Sequence, residues 1–374
     1  MNVLVVFTYG YSLETWNESG TIFRELSIYK KLHELYGIEF TFLTFSNGET
    51  DFDLGKHGIK VIPVYDYVNL SGNKYTNYLR SFLIPFYLKD IVKNVDLIKQ
   101  NQLLGSWISI IMKILYRKPL FIRTGYDMYK FSIEENKHLL VKTLYKLLTI
   151  LSIYFSDIYS VSSEDDVKFL KKDVKIKKDI ILRKNWILGT EYIPFSQRFE
   201  MKLLSVGRLE KQKNFSQLIK SLEGTNYILD IVGKGSLKDS LVKEAELHNV
   251  EVNFIESIEN AELIKFMSNY KYYASTSSFE GNPKTILEAM SAGCVVIASD
   301  IPNHTEIIEN NLSGVILDKE TGGLQIILNN LNKNKKNEKT LSINGYKFVN
   351  ENYSLEKVCL DEYGDYYRLS SEDK

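Results

Sequence analysis

Glu280 and Glu288 bracket a stretch that reads Glu280-Gly281-Asn282-Pro283-Lys284-Thr285-Ile286-Leu287-Glu288-Ala289-Met290, with Gly293 just beyond. Asn282 suits an N-cap, Pro283 the first helical position and Gly293 a stop, so the spacing predicts a helix of about ten residues. The first-turn N–H groups of Lys284, Thr285 and Ile286 would then lack helical partners and, with the positive dipole end, form an anion site suited to a diphosphate. At 1.5 Å of rise per residue the two carboxylates stand roughly 7 to 8 Å apart along the axis, one for each side of a bound phosphate. The competing reading makes Glu280 a surface residue and pairs Glu288 with a nearby lysine.

A second stretch, Ser205-Val206-Gly207-Arg208-Leu209-Glu210-Lys211-Gln212-Lys213-Asn214-Phe215, takes an apolar strand through glycine into a basic loop. Strand-end loops border the ligand crevice of an open α/β sheet. Arg208 offers a planar fork to phosphate oxygens and Lys213 a compact charge, which together could neutralise a leaving diphosphate without a metal. Two solvated cations are the alternative.

Elements that could position these loops are legible on either side. Short apolar runs at 3–7, 40–45, 61–64, 120–123 and 158–161, then at 202–206, 227–232, 252–255, 272–275, 295–298 and 314–317, alternate with segments of helical period. This is the pattern of parallel sheets covered by helices on both faces, an α/β fold. The irregular segment 181–199, with Gly189 and Pro194, marks a boundary. The expected domains are therefore 1–185 and 199–352, with 353–374 a C-terminal helix able to pack back on the first. A length of 374 residues agrees with about two domains.

Composition excludes several classes. Lys+Arg and Asp+Glu both number 47, so the electrostatic attraction behind nonspecific nucleic-acid binding is missing. With only Cys294 and Cys359, neither a disulfide framework nor a cysteine-based zinc site is expected. His33, His57, His138, His248 and His304 form no pair at metal-ligand spacing. The N-terminal run reads as a buried strand rather than a signal peptide, and the apolar stretch 139–155 is interrupted by Lys142 and Lys146, so a cytoplasmic protein without a transmembrane helix is expected.

The chain resembles the retaining glycosyltransferase family 4, enzymes of the GT-B architecture. The resemblance rests on Gly207-Arg208-Leu209 with Lys213, and on Glu280 and Glu288 set in Glu-Gly-x-Pro-x-x-x-Leu-Glu-Ala-Met. Leu229-Asp230-Ile231-Val232-Gly233-Lys234-Gly235 and Glu306-Ile307-Ile308 agree less closely. It covers residues 200–320 well and the N-terminal half loosely. It implies two facing Rossmann-like domains with a cleft between them. Arg208 and Lys213 would hold the donor diphosphate, Glu288 the nucleotide ribose, and Glu280 would stand beside the transferred sugar as a positioning group. Gly207, Gly281, Asn282, Lys284, Thr285 and Ile286 would line the donor site, the amides from Gly281 onward facing sugar hydroxyls and phosphate.

In the first half, Ser19-Gly20 is the nearest counterpart of the family's Gly-rich loop after the first strand, which puts Gly20 on the donor side. The family's usual histidine is replaced by Arg123-Thr124-Gly125-Tyr126-Asp127, so Arg123 or Asp127 takes that place on the sugar or acceptor side. At Asn185-Trp186-Ile187-Leu188 a common aspartate is absent.

Rival signals are weaker. Gly233-Lys234-Gly235 lacks the third glycine of a nicotinamide site because position 238 is Lys, and Asp51-Phe52-Asp53, a possible metal pair, sits in a loop. A glycosidase also uses two carboxylates but needs no phosphate site. A nucleotide-sugar epimerase or a non-catalytic nucleotide-sugar-binding partner subunit are the alternatives to a transferase. The aromatic, partly basic segments 75–93, 103–118 and 138–155 could touch a membrane carrying a lipid-linked acceptor. The expected reaction is therefore metal- and cofactor-independent transfer of a hexose, from a UDP- in preference to a GDP-linked donor, to a glycan or lipid-linked acceptor. The resemblance sets it in bacterial cell-surface polysaccharide or glycolipid synthesis at the inner face of the membrane.

Overall fold

A computed structural model describes residues 1–48, 52–317 and 323–371. Its contacts divide the chain into two units, the first formed by Met1–Lys184 with a segment from Glu356 onward, the second by Asn185–Leu355.

In the first unit β1 (Asn2–Val6), β2 (Glu39–Thr44), β3 (Ile59–Pro63), β4 (Leu97–Asn101), β5 (Leu120–Arg123), β6 (Ile158–Val161) and β7 (Ile181–Leu182) form a parallel sheet in the order β3-β2-β1-β4-β5-β6-β7. Val3 through Phe7 are fully buried, as a central strand covered on both faces must be. The sequence pattern misses β4, where two apolar residues are followed by Lys99-Gln100-Asn101, and the two-residue β7.

Lys99 is buried because the helix Leu355–Ser371 supplies Glu362, which bonds Lys99 Nζ through Oε1 and accepts from Arg123 Nη1 through Oε2 at 2.7 Å. Tyr366 also donates to Glu362. The same helix places Asp365 opposite Arg183 in a bidentate pair at 2.6 and 2.7 Å. The two neighbouring cations hold the Glu362 carboxyl down at about 2 against the effect of its burial.

In the second unit β8 (Phe199–Val206), β9 (Ile228–Val232), β10 (Val252–Ile255), β11 (Tyr270–Ser275), β12 (Val295–Ser299) and β13 (Val315–Leu317) are ordered β10-β9-β8-β11-β12-β13. Apolar clusters lie on both faces of this sheet, one around Leu203, Leu229 and Ile297, the other around Leu204, Val296 and Leu287. The boundary segment 181–199 divides after Lys184: Ile181–Leu182 is β7 of the first sheet, while the residues from Asn185 onward pack into this unit, with Trp186, Ile187, Phe195 and Arg198 buried and the Ile187 N–H donating to Tyr353 O at 2.9 Å.

Among the described residues no helix is long and apolar enough to cross a membrane. Asp51 lies outside the described residues, and the Asp53 side chain is 80% exposed beside Lys56.

Candidate functional site

In the second sheet the strand order reverses direction between β8 and β11, which pair in parallel register. A doubly wound sheet binds ligands beyond the carboxyl ends of its strands at this point. The loops that follow β8 and β11 are the two stretches singled out by their residue types.

The loop after β8 is braced by the neighbouring loop after β9. Gly207 N–H donates to Val232 O at 3.0 Å, Leu209 N–H to Lys234 O at 2.9 Å, and Leu237 N–H to Leu209 O at 3.0 Å. A Cβ on Gly233 would lie 2.0 Å from Gly207 O, and one on Gly235 2.4 Å from Leu209 O. Gly233-Lys234-Gly235 thus permits two backbones to meet, which accounts for both glycines without a dinucleotide. The Lys213 stem covers Gly207, whose Cβ would be 3.0 Å from Lys213 Cε.

The loop after β11 is stitched to the first. Ser278 N–H donates to Gln212 O at 2.9 Å, Thr276 Oγ1 to Asn214 O at 3.0 Å, and Gln212 Nε2 to Phe279 O at 2.9 Å. At the centre Lys213 Nζ bonds Glu280 Oε1 at 2.5 Å, with the side chains 15% and 9% exposed. Ser277 Oγ donates to the same oxygen at 2.6 Å, and Gln212 Nε2 reaches Oε2 at 3.4 Å. Glu280 is therefore held by three side chains from both loops. Arg208 is exposed, and among the described residues its guanidinium makes no side-chain hydrogen bond or close ion pair, the Glu210 carboxylate acting on it only at longer range. Gln212 and Ser277 were not singled out from sequence; the place of Gln212 inside the basic loop and of Ser277 three residues before Glu280 was the available signal.

The helix after the second loop departs from the sequence expectation. It runs Lys284–Ser291, eight residues, with Pro283 rather than Asn282 at the cap, at φ −77° and ψ 80°. Lys284 N–H turns back to Asn282 O at 2.9 Å and Ile286 N–H to Pro283 O at 3.0 Å. Of the three amides expected to be free, only that of Thr285 lacks a backbone acceptor among the described residues. Proline fixes the chain just before the helix and lets its carbonyl close the first turn tightly, so this helix end offers an anion less than its composition suggests.

Gly281 is held from behind, its carbonyl accepting from Asn303 Nδ2, and Lys284 Nζ lies 5.7 Å from the centre of the Trp186 ring. Beside them His304 is buried with Nδ1 2.9 Å from Ser299 O, and burial lowers its pKa. Glu288 is 2% exposed and its Oε1 accepts from Asn260 Nδ2 at 2.8 Å, a partner on the helix Asn260–Met267 that sequence reasoning missed.

The residues expected in the first unit have structural partners. Arg123, besides Glu362, donates to Lys184 O at 2.8 Å and is 8% exposed, so it is engaged in joining the C-terminal helix to its sheet. Asp127 caps the helix Met128–Glu134, accepting from Lys130 N–H at 2.7 Å, and burial pushes its carboxyl up to about 7. Gly20 does not follow the first strand directly. A short helix, Leu13–Glu18, intervenes, and the glycine of the β1 loop is Gly10, at φ +82°.

These loops and the double parallel-sheet fold define a class. Residues 195–348, which contain both loops, match the family model described as glycosyl transferases group 1. Over 131 residues, 33% of this chain, it is 30% identical to the UDP-N-acetylglucosamine--peptide N-acetylglucosaminyltransferase GtfA subunit of Streptococcus agalactiae, of which it covers 26%. The chain thus spans about a quarter of the length of that curated relative. Over 283 residues, 73% of this chain and 79% of the relative, it is 26% identical to the O-antigen biosynthesis glycosyltransferase WbnH of Escherichia coli. Among solved structures, Anabaena HepE in complex with UDP superposes with a TM-score of 0.76 at 15% identity, covering 98% of this chain and 99% of that one. That likeness is one of fold, the GT-B architecture of two Rossmann-like domains.

Proposed function

We propose that this chain is a retaining, metal-independent glycosyltransferase of family 4 that moves a hexose from a nucleotide-diphosphate sugar, UDP-linked in preference to GDP-linked, to a glycan or lipid-linked acceptor. The setting proposed is cell-surface polysaccharide or glycolipid synthesis, the kind of work the Escherichia coli relative is named for. The observation that carries the reading is the Lys213–Glu280 pair, held between two loops at the sheet's switch point with an exposed Arg208 on the same loop as Lys213.

As the bond between the sugar and the diphosphate breaks, negative charge grows on the leaving phosphate. Arg208 and Lys213 can meet that charge where it develops, without a metal. Glu280, fixed by Lys213, Ser277 and Gln212, can align a sugar hydroxyl and hold the sugar face while the acceptor enters from the same side. Glu288, buried in the adjoining helix, serves the ribose.

The reading includes a peripheral membrane contact in the first unit. The helix Leu139–Phe155 exposes Leu140 (68%), Leu144 (65%), Leu147 (52%) and Leu151 (48%) along one stripe, with Lys142 and Lys146 beside it. Retention in the supernatant with anionic vesicles at low salt would remove that contact from the reading.

The test of the reaction is calorimetry and thermal shift with UDP, GDP, ADP and their common sugar conjugates, with and without EDTA, on the wild type and Glu288→Ala. One nucleotide should bind and raise the melting temperature regardless of EDTA, and Glu288→Ala should lose it. Failure of every nucleotide to bind would overturn the transferase reading.

A further inference from the structure

Asn260 begins the helix Asn260–Met267, beyond β10, and is 5% exposed. Its Nδ2 donates to Glu288 Oε1 at 2.8 Å. A carboxylate only accepts hydrogen bonds, so this contact fixes which way the amide faces: nitrogen toward Glu288, oxygen away. The Asn260 Oδ1 left by that orientation is buried and has no hydrogen-bond partner among the described residues. Buried acceptors are rarely left in this state, and one beside a functional carboxylate marks a place where a donor arrives with a ligand. An amide oxygen next to a carboxylate is a pair of acceptors, which is what two neighbouring hydroxyl groups require. A diphosphate, itself an acceptor, would be repelled there.

We propose that Asn260 is the positioning residue for Glu288 and that its Oδ1 accepts from a ribose hydroxyl of the donor nucleotide, so that the two side chains read the vicinal diol together. The inference rests on the assignment of Glu288 to the nucleotide ribose made under the proposed function. Discrimination between ribo- and deoxyribonucleotides then belongs to the pair, and Asn260 contributes both a direct contact and the fixed direction of the carboxylate.

The experiment is calorimetric titration of the full chain with UDP, GDP and ADP and with their 2′-deoxy and 3′-deoxy forms, on wild type, Asn260→Ala and Asn260→Asp. Wild type should bind at least one deoxy form about tenfold more weakly than the parent, as loss of one hydrogen bond implies. Asn260→Ala should bind the parent about tenfold more weakly and lose little more when the same hydroxyl is removed, because the two changes delete one interaction. Asn260→Asp, nearly the same shape, places a second carboxyl against Glu288. It should bind weakly at pH 8 and recover at pH 5, where a shared proton restores the donor that Nδ2 supplied.

If Asn260→Ala discriminates between ribo and deoxy forms as strongly as wild type, or if Asn260→Asp binds identically at both pH values, the inference fails while the transferase reading stands. If wild type binds none of UDP, GDP and ADP, both fall. Should Asn260→Ala not fold, the Asn260→Asp titrations decide the question.

Discussion

Both units contain a switch point of the same topology, one between β1 and β4 and the other between β8 and β11, yet their side chains differ in kind. Beyond β1 the loop carries Tyr9, which packs on Phe45, Tyr78 and Trp107 at ring separations of 5.0, 6.1 and 5.3 Å. Beyond β8 and β11 stand Arg208, Lys213 and Glu280. The first unit does possess cations near its strand ends, but Lys99 and Arg123 face inward to Glu362. Topology provides the edge of a crevice twice, and in the second the packing leaves an exposed guanidinium, that of Arg208, which the proposed function assigns to the diphosphate. A basic residue in a strand-end loop therefore points to chemistry only after its partners inside the fold have been counted.

The comparison breaks most sharply at Glu362. Glu362→Ala leaves Lys99 and Arg123 buried without a counter-charge and should cost about 3–5 kcal/mol in urea unfolding. Because the Glu362 pKa is depressed to about 2, its stabilising contribution is fully present above the ordinary carboxylate value and is lost as pH falls toward about 2; an acid unfolding midpoint independent of Glu362 would contradict this.

Next comes the pair of arginines. Arg208→Ala should lower the transfer rate by at least about 10²-fold with the unfolding midpoint unchanged, whereas Arg123→Ala should lower the midpoint. A near-normal rate in Arg208→Ala would sink its assignment to the leaving group.

The two glutamates should then separate kinetically. Glu280→Gln is expected to reduce kcat by about tenfold or more with little change in donor KM, and Glu288→Ala to raise donor KM by a similar factor. The reverse split would exchange their roles.

At Asp127 the expected effect lies in the pH dependence of stability and not in the rate. Its carboxyl is raised to about 7, so its contribution to stability is full below the ordinary value of 3.8 and disappears as pH rises through about 7. Asp127→Asn keeps a capping oxygen and should gain on wild type when urea midpoints at pH 8 are compared with those at pH 5. Parallel midpoints at both pH values would show that this carboxyl does not titrate as its burial implies.

The candidate site of the second unit was legible because its residues are close in sequence to the strand ends that present them: Arg208 and Lys213 after one apolar run, Glu280 and Glu288 around one helix start. What stayed hidden depended on distant partners. Lys99 reads as a reason to reject a strand until Glu362, 263 positions away, is placed against it. Asn260 belongs to no pattern, and its meaning comes from Glu288, 28 positions later. The cap of Lys284–Ser291 was misread for a local reason, since Asn-Pro fits two frames one residue apart and the structure adopts the one with proline outside the helix. Arg123 ends a correctly read strand and Asp127 caps the helix that follows, but periodicity says where a strand ends, not whether the charges there turn outward.

The helix that carries Glu362 leaves a mark on the order of biosynthesis. Chains grow from the N-terminus, and domains generally fold as they emerge. Here Lys99 and Arg123 are translated early, while the carboxylate that neutralises them appears only after the whole of Asn185–Leu355 has been made. The unit whose synthesis starts first therefore depends, for the pairing of its two buried cations, on a segment made after the whole of the second unit.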